Sequence, residues 1–250
     1  MTDRENELFG RSRLLLGDAL MEKLHDTKAI IFGIGGVGSW CAEGLVRSGL
    51  SKLTIVDADT VSLSNVNRQL MASTSTVGRV KVDVLRERLS DINPDAEILA
   101  IHKTYSAETA QDFDLDSYNY VIDAIDSLKD KAALVLKASA SKAKFYSAMG
   151  AALKVDPERV KVGPFSKVIG CPLASRLRKK LKKMGEMPAK DFTCVWDDEV
   201  LENRGEQPEQ ECSYKAVTNG SMAAVTGIFG LTLSGLVIRD LYRRGVSWKN

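Results

Sequence analysis

Apolar residues in this chain gather into short runs set between polar and glycine-rich stretches. Ala29, Ile30, Ile31 and Phe32 form one such run, Leu53, Ile55 and Val56 another, and residues 120–125 (Tyr-Val-Ile-Asp-Ala-Ile) a third. Runs this short, without strict polar alternation, read as strands buried on both faces. The first strand, a turn and a helix occupy 28–48, with Gly49 as the helix C-cap. The second strand covers 52–57 and runs into a polar loop at 58–76. Residues 78–92 place Val82, Leu85, Leu89 and Ile92 on one helical face, and Asn93-Pro94 ends it. Strands follow at 96–102, 120–125 and 144–148, with a helix at 129–140. A leading helical region at 7–26 is expected to bury Leu14, Leu15, Leu20 and Leu24. Alternating strands and helices of these lengths predict a Rossmann-like α/β fold, a mainly parallel sheet with helices on both faces.

Beyond Gly150 the pattern weakens. Residues 160–162 read as a further strand and 172–183 as a basic helix. The charged stretch 185–211, with Pro188, Gly205 and Pro208, reads as a long mobile loop. Residues 218–238 carry no charge and are long enough to span a bilayer. Gly220, Gly227, Gly230 and Gly235 and several hydroxyl residues dilute that apolarity. Small residues near every fourth position (Thr226, Gly230, Ser234) would let another backbone come close, so a buried helix is expected rather than a membrane span.

At 250 residues the chain can bury a full core. Its net charge of +2 implies no general affinity for polyanions, so any nucleic-acid surface must be a local patch. Cys41, Cys171, Cys194 and Cys212 are scattered without a Cys-x-x-Cys pair, which argues against a structural zinc and against a disulfide framework. The polar N-terminus does not read as a secretory signal, and a cytoplasmic location with no membrane partner is expected.

Residues 33–38 read Gly-Ile-Gly-Gly-Val-Gly and follow the first strand directly. Gly33 allows a tight turn, Gly35 and Gly36 let backbone N–H groups reach phosphates, and Gly38 brings helix and strand together. Asp57 ends the second strand nineteen residues after Gly38, a spacing that suits a carboxylate gripping ribose hydroxyls. Alone, this fingerprint points to a dinucleotide redox cofactor, as in an NAD-dependent dehydrogenase. The loop after Asp57 points elsewhere. Arg68 can bridge phosphate oxygens bidentately, Lys81 adds a compact positive charge, and Asn65 and Asn67 offer neutral donors. Asp126, at the carboxyl end of the fourth strand, faces the same crevice and could hold Mg²⁺ against the phosphates of ATP.

These residues resemble those of the ubiquitin-activating-like adenylating enzymes, the ThiF/MoeB/HesA superfamily. The likeness rests on the glycine run, Asp57-x-Asp59-x-Val61, Ser64-Asn65-x-Asn67-Arg68-Gln69, Val77-Gly78 with Lys81, and Ile92-Asn93-Pro94. It implies Gly36 at the phosphates of ATP, Asp57 on the ribose, Arg68 and Lys81 on the triphosphate, and Asp126 on Mg²⁺. Asp59, Asn65, Asn67 and Ser127 fall among the expected nucleotide-binding positions. An arginine near the N-terminus, Arg13 ahead of Arg11, is expected to reach the phosphates of a second copy across a homodimer. The implied reaction is attack of a carboxylate on the α-phosphate. The implied organisation is one ThiF-type domain over 1–250, with an ATP-binding core at 1–157 and a substrate and dimer region at 158–250.

Within the superfamily the chain is similar to the branch that dehydrates threonylcarbamoyladenosine in tRNA. The matches include Arg47-Ser48-Gly49, residues 121–127, Ser147-Ala148-Met149-Gly150-Ala151, Asp156-Pro157, and Cys171-Pro172-Leu173-Ala174 before a basic helix. The likeness is densest over 28–157 and thinnest over 185–215. It implies a tRNA substrate, adenylation of the threonine carboxylate and ring closure, with a sulfur-relay protein as a further conceivable partner. Ser127 and Lys131 stand where relatives often have Asn and Arg, and Ala151-Ala152-Leu153 where many have more glycine.

Plainer readings stand beside these. Asp126 also suits a helix N-cap, Asp123 a structural hydrogen bond rather than a second metal contact, and Arg13 a solvated helix position. The basic run at 176–183 fits a solvated face or a tRNA contact. Cys194 and Cys212 are candidates for a thioester nucleophile, which cyclisation does not need. His25 and His102 are isolated and read as ordinary residues. The competing functions are activation of a ubiquitin-like or sulfur-carrier protein, an NAD-dependent dehydrogenase, and a non-catalytic tRNA-binding module.

Overall fold

A computed structural model describes residues 2–206 and 218–245, and the apolar runs form the centre of a seven-stranded sheet. The strands are β1 (Lys28–Phe32), β2 (Lys52–Asp57), β3 (Glu97–His102), β4 (Tyr120–Asp123), β5 (Lys144–Ala148), β6 (Lys161–Pro164) and β7 (Thr193–Trp196). Their order is β3-β2-β1-β4-β5-β7-β6, parallel throughout except for β6, which runs antiparallel to β7. From β1 the chain steps outward to β2 and β3, then returns to the other side of β1 for β4. Reversal at that point opens a crevice at the carboxyl ends of β1 and β4, where open α/β sheets bind ligands.

Successive side chains of β1 enter two different cores. Ala29 and Ile31 join Ile55 and Ile122 on one face, while Ile30 and Phe32 join Val121 and Phe145 on the other. This double burial explains why the strand reads as a continuous apolar run. Ahead of β1 lie α1 (Asp3–Leu8), α2 (Gly10–Leu16) and α3 (Asp18–Asp26), and α4 (Gly38–Arg47) and α5 (Lys81–Ile92) follow β1 and β2. The first face is covered by α3, α4, α5 and α8 (Ala223–Gly245), and the second by α6 (Leu128–Ala140) and α7 (Pro172–Met184).

The apolar helix α8 is long enough to cross a membrane by length and composition, and it packs along α4. Val225, Phe229, Leu233 and Val237 are fully buried. Small residues make the approach possible, as their spacing predicts. A Cβ at Gly230 would stand 2.4 Å from the Val37 carbonyl oxygen, and one at Gly44 would stand 2.4 Å from Ser234 Oγ. Tyr120 donates to Asp240 (2.8 Å) and Tyr146 to the Leu236 carbonyl (3.4 Å), tying α8 to the sheet.

Several expectations change. The leading helical region is three helices, broken at Phe9 and Gly17; Leu20 and Leu24 are buried, but Leu14 and Leu15 are 90% and 80% exposed. The 78–92 helix begins at Lys81 because Gly78 is left-handed (φ 85°) and Thr60 bridges to Val80. β4 ends at Asp123, not at Ile125, since the Asp123 carboxylate turns back to accept from the Ile125 N–H (2.9 Å). The 160–162 strand is shifted to Lys161–Pro164. Within the expected mobile loop, β7 inserts between β5 and β6 as a buried strand, which places Cys194 in the core. Cys212 lies outside the described residues.

Candidate active site

Backbone geometry fixes the glycine turn before any ligand is considered. Gly33 is left-handed (φ 81°), donates to the Val56 carbonyl (2.8 Å), and lies so near Ala124 that a Cβ would stand 2.8 Å from its carbonyl oxygen. A Cβ at Gly38 would fall 1.9 Å from the Gly33 carbonyl oxygen. Only glycine fits at either place. The turn therefore delivers the N-terminus of α4, the positive end of its dipole, to the crevice.

Asp57, at the end of β2, braces this turn. Its carboxylate accepts from the N–H of Ile34, inside the turn, and from that of Asp59, both at 2.9 Å. Burial pushes its carboxyl above the usual range, while Lys81 and the two backbone N–H groups pull it back. Each carboxylate oxygen keeps acceptor capacity for a hydroxyl. Lys81 is the first residue of α5 and is 5% exposed. Its placement is local: the Gly78 N–H donates to the Val61 carbonyl and the Lys81 N–H to the Asp59 carbonyl, folding the helix start back onto the loop. Lys81 Nζ then lies 2.7 Å from Asp59 Oδ2.

Arg68 lies against the glycine turn. Its Nη1 donates to the Ser64 carbonyl (2.9 Å) and to Asn67 Oδ1 (3.0 Å). Its stem reaches the turn, with Cγ 3.3 Å from where a Cβ on Gly36 would stand. Burial lowers the basicity of Arg68 and the nearby charge of Asp126 restores part of it, so Asp126 and Arg68 share this mouth of the crevice. Asp126 is exposed in the turn between β4 and α6.

Other expected residues shape the site from behind. Asn65 is buried, and its side-chain oxygen accepts from the Ser62 N–H (3.1 Å), capping the short helical turn Leu63–Asn65. Asn67 Nδ2 donates to the Ser221 carbonyl (2.8 Å), linking the Arg68 loop to the segment that opens α8. Ser127 caps α6 through the Asp130 N–H. Asp123 is fully buried and accepts from Lys131 Nζ (2.5 Å), Ser147 Oγ (2.6 Å) and the Ile125 N–H (2.9 Å). Those bonds make it a structural anchor. Arg13 lies on α2, 2.9 Å from Asp18, and makes no ion pair with the crevice residues among the described residues. His102 bonds the Ala58 carbonyl (2.8 Å) and His25 lies 3.4 Å from Glu5, so neither stands as a general base. Burial pushes the Cys194 thiol far above its usual range, the opposite of an activated nucleophile.

Two contributors escaped single-residue reading. Trp40 Nε1 donates to the Arg68 carbonyl (3.1 Å), and its ring lies against Gly227 of α8. Gln69 is buried beside Gly35, with its Oε1 unpartnered among the described residues. Gln69 ends the quoted Asn-Arg-Gln segment and Trp40 lies two residues beyond the glycine run, but only the packing shows what they touch.

A model of the ThiF family matches residues 9–247. The tRNA threonylcarbamoyladenosine dehydratase of Bacillus subtilis is 37% identical over 242 residues, 94% of each chain. That of Haemophilus influenzae is 34% identical over 96% of this chain and 95% of its own. The crystal structure of the Escherichia coli tRNA N6-threonylcarbamoyladenosine dehydratase in complex with ATP superposes with a TM-score of 0.86 at 30% identity, covering 98% of this chain and 97% of that one. With the glycine turn, the braced aspartate and the two crevice cations in place, the chain belongs to the ThiF family.

Proposed function

We propose that this chain is an ATP-dependent tRNA threonylcarbamoyladenosine dehydratase. The observation that carries the reading is the convergence of Arg68, Lys81 and Asp57 on the glycine turn, in a chain similar to such dehydratases over 94% of its length.

The residues fit ATP. A turn that tolerates no side chain at Gly33 or Gly38, a helix N-terminus and two partly or wholly buried cations suit a triphosphate. Asp57 takes the ribose hydroxyls. Arg68 and Lys81 hold the phosphate oxygens and stabilise the charge that grows there. Asp59 keeps Lys81 aimed at the crevice, Asn65 holds the Arg68 loop in shape, and Asn67 fixes the Arg68 guanidinium. Ser127 sets the start of α6 and thereby the position of Asp126. Asp126 is the residue that would hold Mg²⁺ at this mouth of the crevice, where the ion would neutralise phosphate charge. ATP itself supplies the chemistry of making a carboxylate oxygen leave as AMP. The threonine carboxylate attacks the α-phosphate and displaces pyrophosphate; the carbamoyl group of the same nucleoside then attacks the activated carbonyl, loses a proton, closes the ring and releases AMP.

The same reading takes the chain as a cytoplasmic homodimer, one ThiF-type domain in which 1–157 carries the ATP site. Leu14 and Leu15, exposed at 90% and 80% beside Arg13, support association near the residue that would reach the second copy's phosphates. A sulfur-relay protein would be a further partner that none of these steps needs. The test is mass spectrometry of nucleosides from threonylcarbamoylated tRNA incubated with the chain and ATP. Loss of one water from the modified nucleoside is expected, and an unchanged mass would overturn the proposal.

A further inference from the structure

The helix α7 carries six basic residues and no acidic one in thirteen positions. The side chains of five of the six make no hydrogen bond or ion pair among the described residues. Arg178 is the exception: its Nη2 donates to the carbonyls of Phe165 and Val168, and the guanidinium lies 4.9 Å from the Phe165 ring centroid. Ala174, Leu177 and Leu181 form the fully buried stripe. At about 100° per residue, Arg176, Lys179 and Lys183 fall exposed on the opposite side, with the half-buried Lys180 at the margin of that face. None of those four, nor Lys182, makes an ion pair among the described residues. Lys182 and Lys183 complement the negative end of the helix dipole, but Arg176, Lys179 and Lys180 lie too early for that. Like charges three and four apart destabilise the helix that bears them. A face kept in that state calls for an external anion.

Its position tells which anion. The start of α7 abuts the loop after β5, where a Cβ on Gly150 would touch Leu173 Cβ at 3.4 Å. In the sheet, β5 lies two strands from β1, about 10 Å from the crevice at ordinary strand spacing. The helix then runs back toward the amino edge of the sheet, where Lys190 Nζ meets the Ser141 carbonyl (3.3 Å). We propose that the outward face of α7 is a track for the phosphodiester backbone of tRNA, guiding the substrate nucleoside toward the crevice between β1 and β4. The inference rests on the function proposed above. It adds the surface that holds the RNA outside the reacting nucleoside.

The test compares the unsubstituted chain with the triple variant Arg176→Glu, Lys179→Glu, Lys180→Glu, which leaves the buried stripe and the last turn intact. Binding of threonylcarbamoylated tRNA is measured over a range of salt concentrations, and ATP binding by calorimetry. The variant is expected to bind tRNA at least tenfold more weakly, with ATP binding unchanged. Its slope of log affinity against log salt should be shallower by about 2, for three lost contacts at about 0.7 each on a single strand. Lys179→Arg with Lys180→Arg should keep the original slope. An unchanged slope and affinity in the glutamate variant would overturn the inference alone, since a solvated face or a face for an acidic protein predicts that result. Failure of the unsubstituted chain to bind tRNA would overturn the inference and the proposed function together.

Discussion

Gly230→Ala tests whether the contact between α8 and α4 holds the ATP site in shape. A Cβ at Gly230 would stand 2.4 Å from the Val37 carbonyl oxygen, 2.6 Å from Trp40 Cβ and 2.8 Å from the Cys41 nitrogen. Two of these are backbone atoms at the start of α4 and cannot rotate away. Ordinary contact begins near 3.4 Å, so the helices must part by about 1 Å at this point. Such a gap forfeits roughly a quarter to a half of each facing dispersion contact, and overpacking of this kind costs about 1–3 kcal/mol. Taking about 2 kcal/mol, the Tm should fall by roughly 4–8 °C in a chain of this size. The same helix supplies the control. Gly235 has nothing within 4 Å of its Cβ position, so Gly235→Ala should gain about 0.5–1 kcal/mol from helix propensity alone. Thermal unfolding by circular dichroism compares the two. Calorimetry should also find weaker ATP binding in Gly230→Ala, because Val37 and Trp40 flank the turn and Trp40 holds the Arg68 carbonyl. Equal melting temperatures for the two variants would refute the packing argument.

Arg68→Ala and Lys81→Ala should each lower turnover by roughly 100-fold or more while leaving the fold intact, since in the proposed reaction both groups would stabilise developing charge; near-normal turnover in both would remove them from the reaction. Lys131→Met should cost about 3–5 kcal/mol in urea unfolding, because it leaves Asp123 charged, fully buried and short of one partner. Adding Asp123→Asn should recover part of that loss, and no recovery would count against the buried pair. Cys194→Ala should keep turnover within a few-fold in a single-turnover assay, whereas a hundredfold loss would restore a thioester step.

Strands buried on both faces were the easiest elements to read, because β1, β2, β4 and β5 leave almost no polar interruption. The element missed outright, β7, has only four residues and sits among charges and prolines, so its burial between β5 and β6 left no period to detect. At the site, the grouping of Asp57, Arg68 and Lys81 around the glycine turn was legible from residue type and spacing. What supports them was not. Asn65 and Asn67 read as donors to a ligand; their intramolecular bonds, one capping a turn and the other on Arg68, come from packing that the sequence does not display. The start of α5 moved to Lys81 through a left-handed Gly78 and a bridge from Thr60 to Val80, contacts between residues far apart on the sequence pattern. Leu14 and Leu15 show the converse error: helical spacing marks an apolar face but not what covers it.

In the proposed reaction a carboxylate oxygen leaves on the α-phosphate of ATP. Threonylcarbamoylated tRNA carrying ¹⁸O in the threonine carboxylate, turned over with unlabelled ATP, tests it most directly. One ¹⁸O atom is expected in the AMP for each nucleoside that loses water. Label found in inorganic phosphate, or released to water with none in AMP, would contradict it.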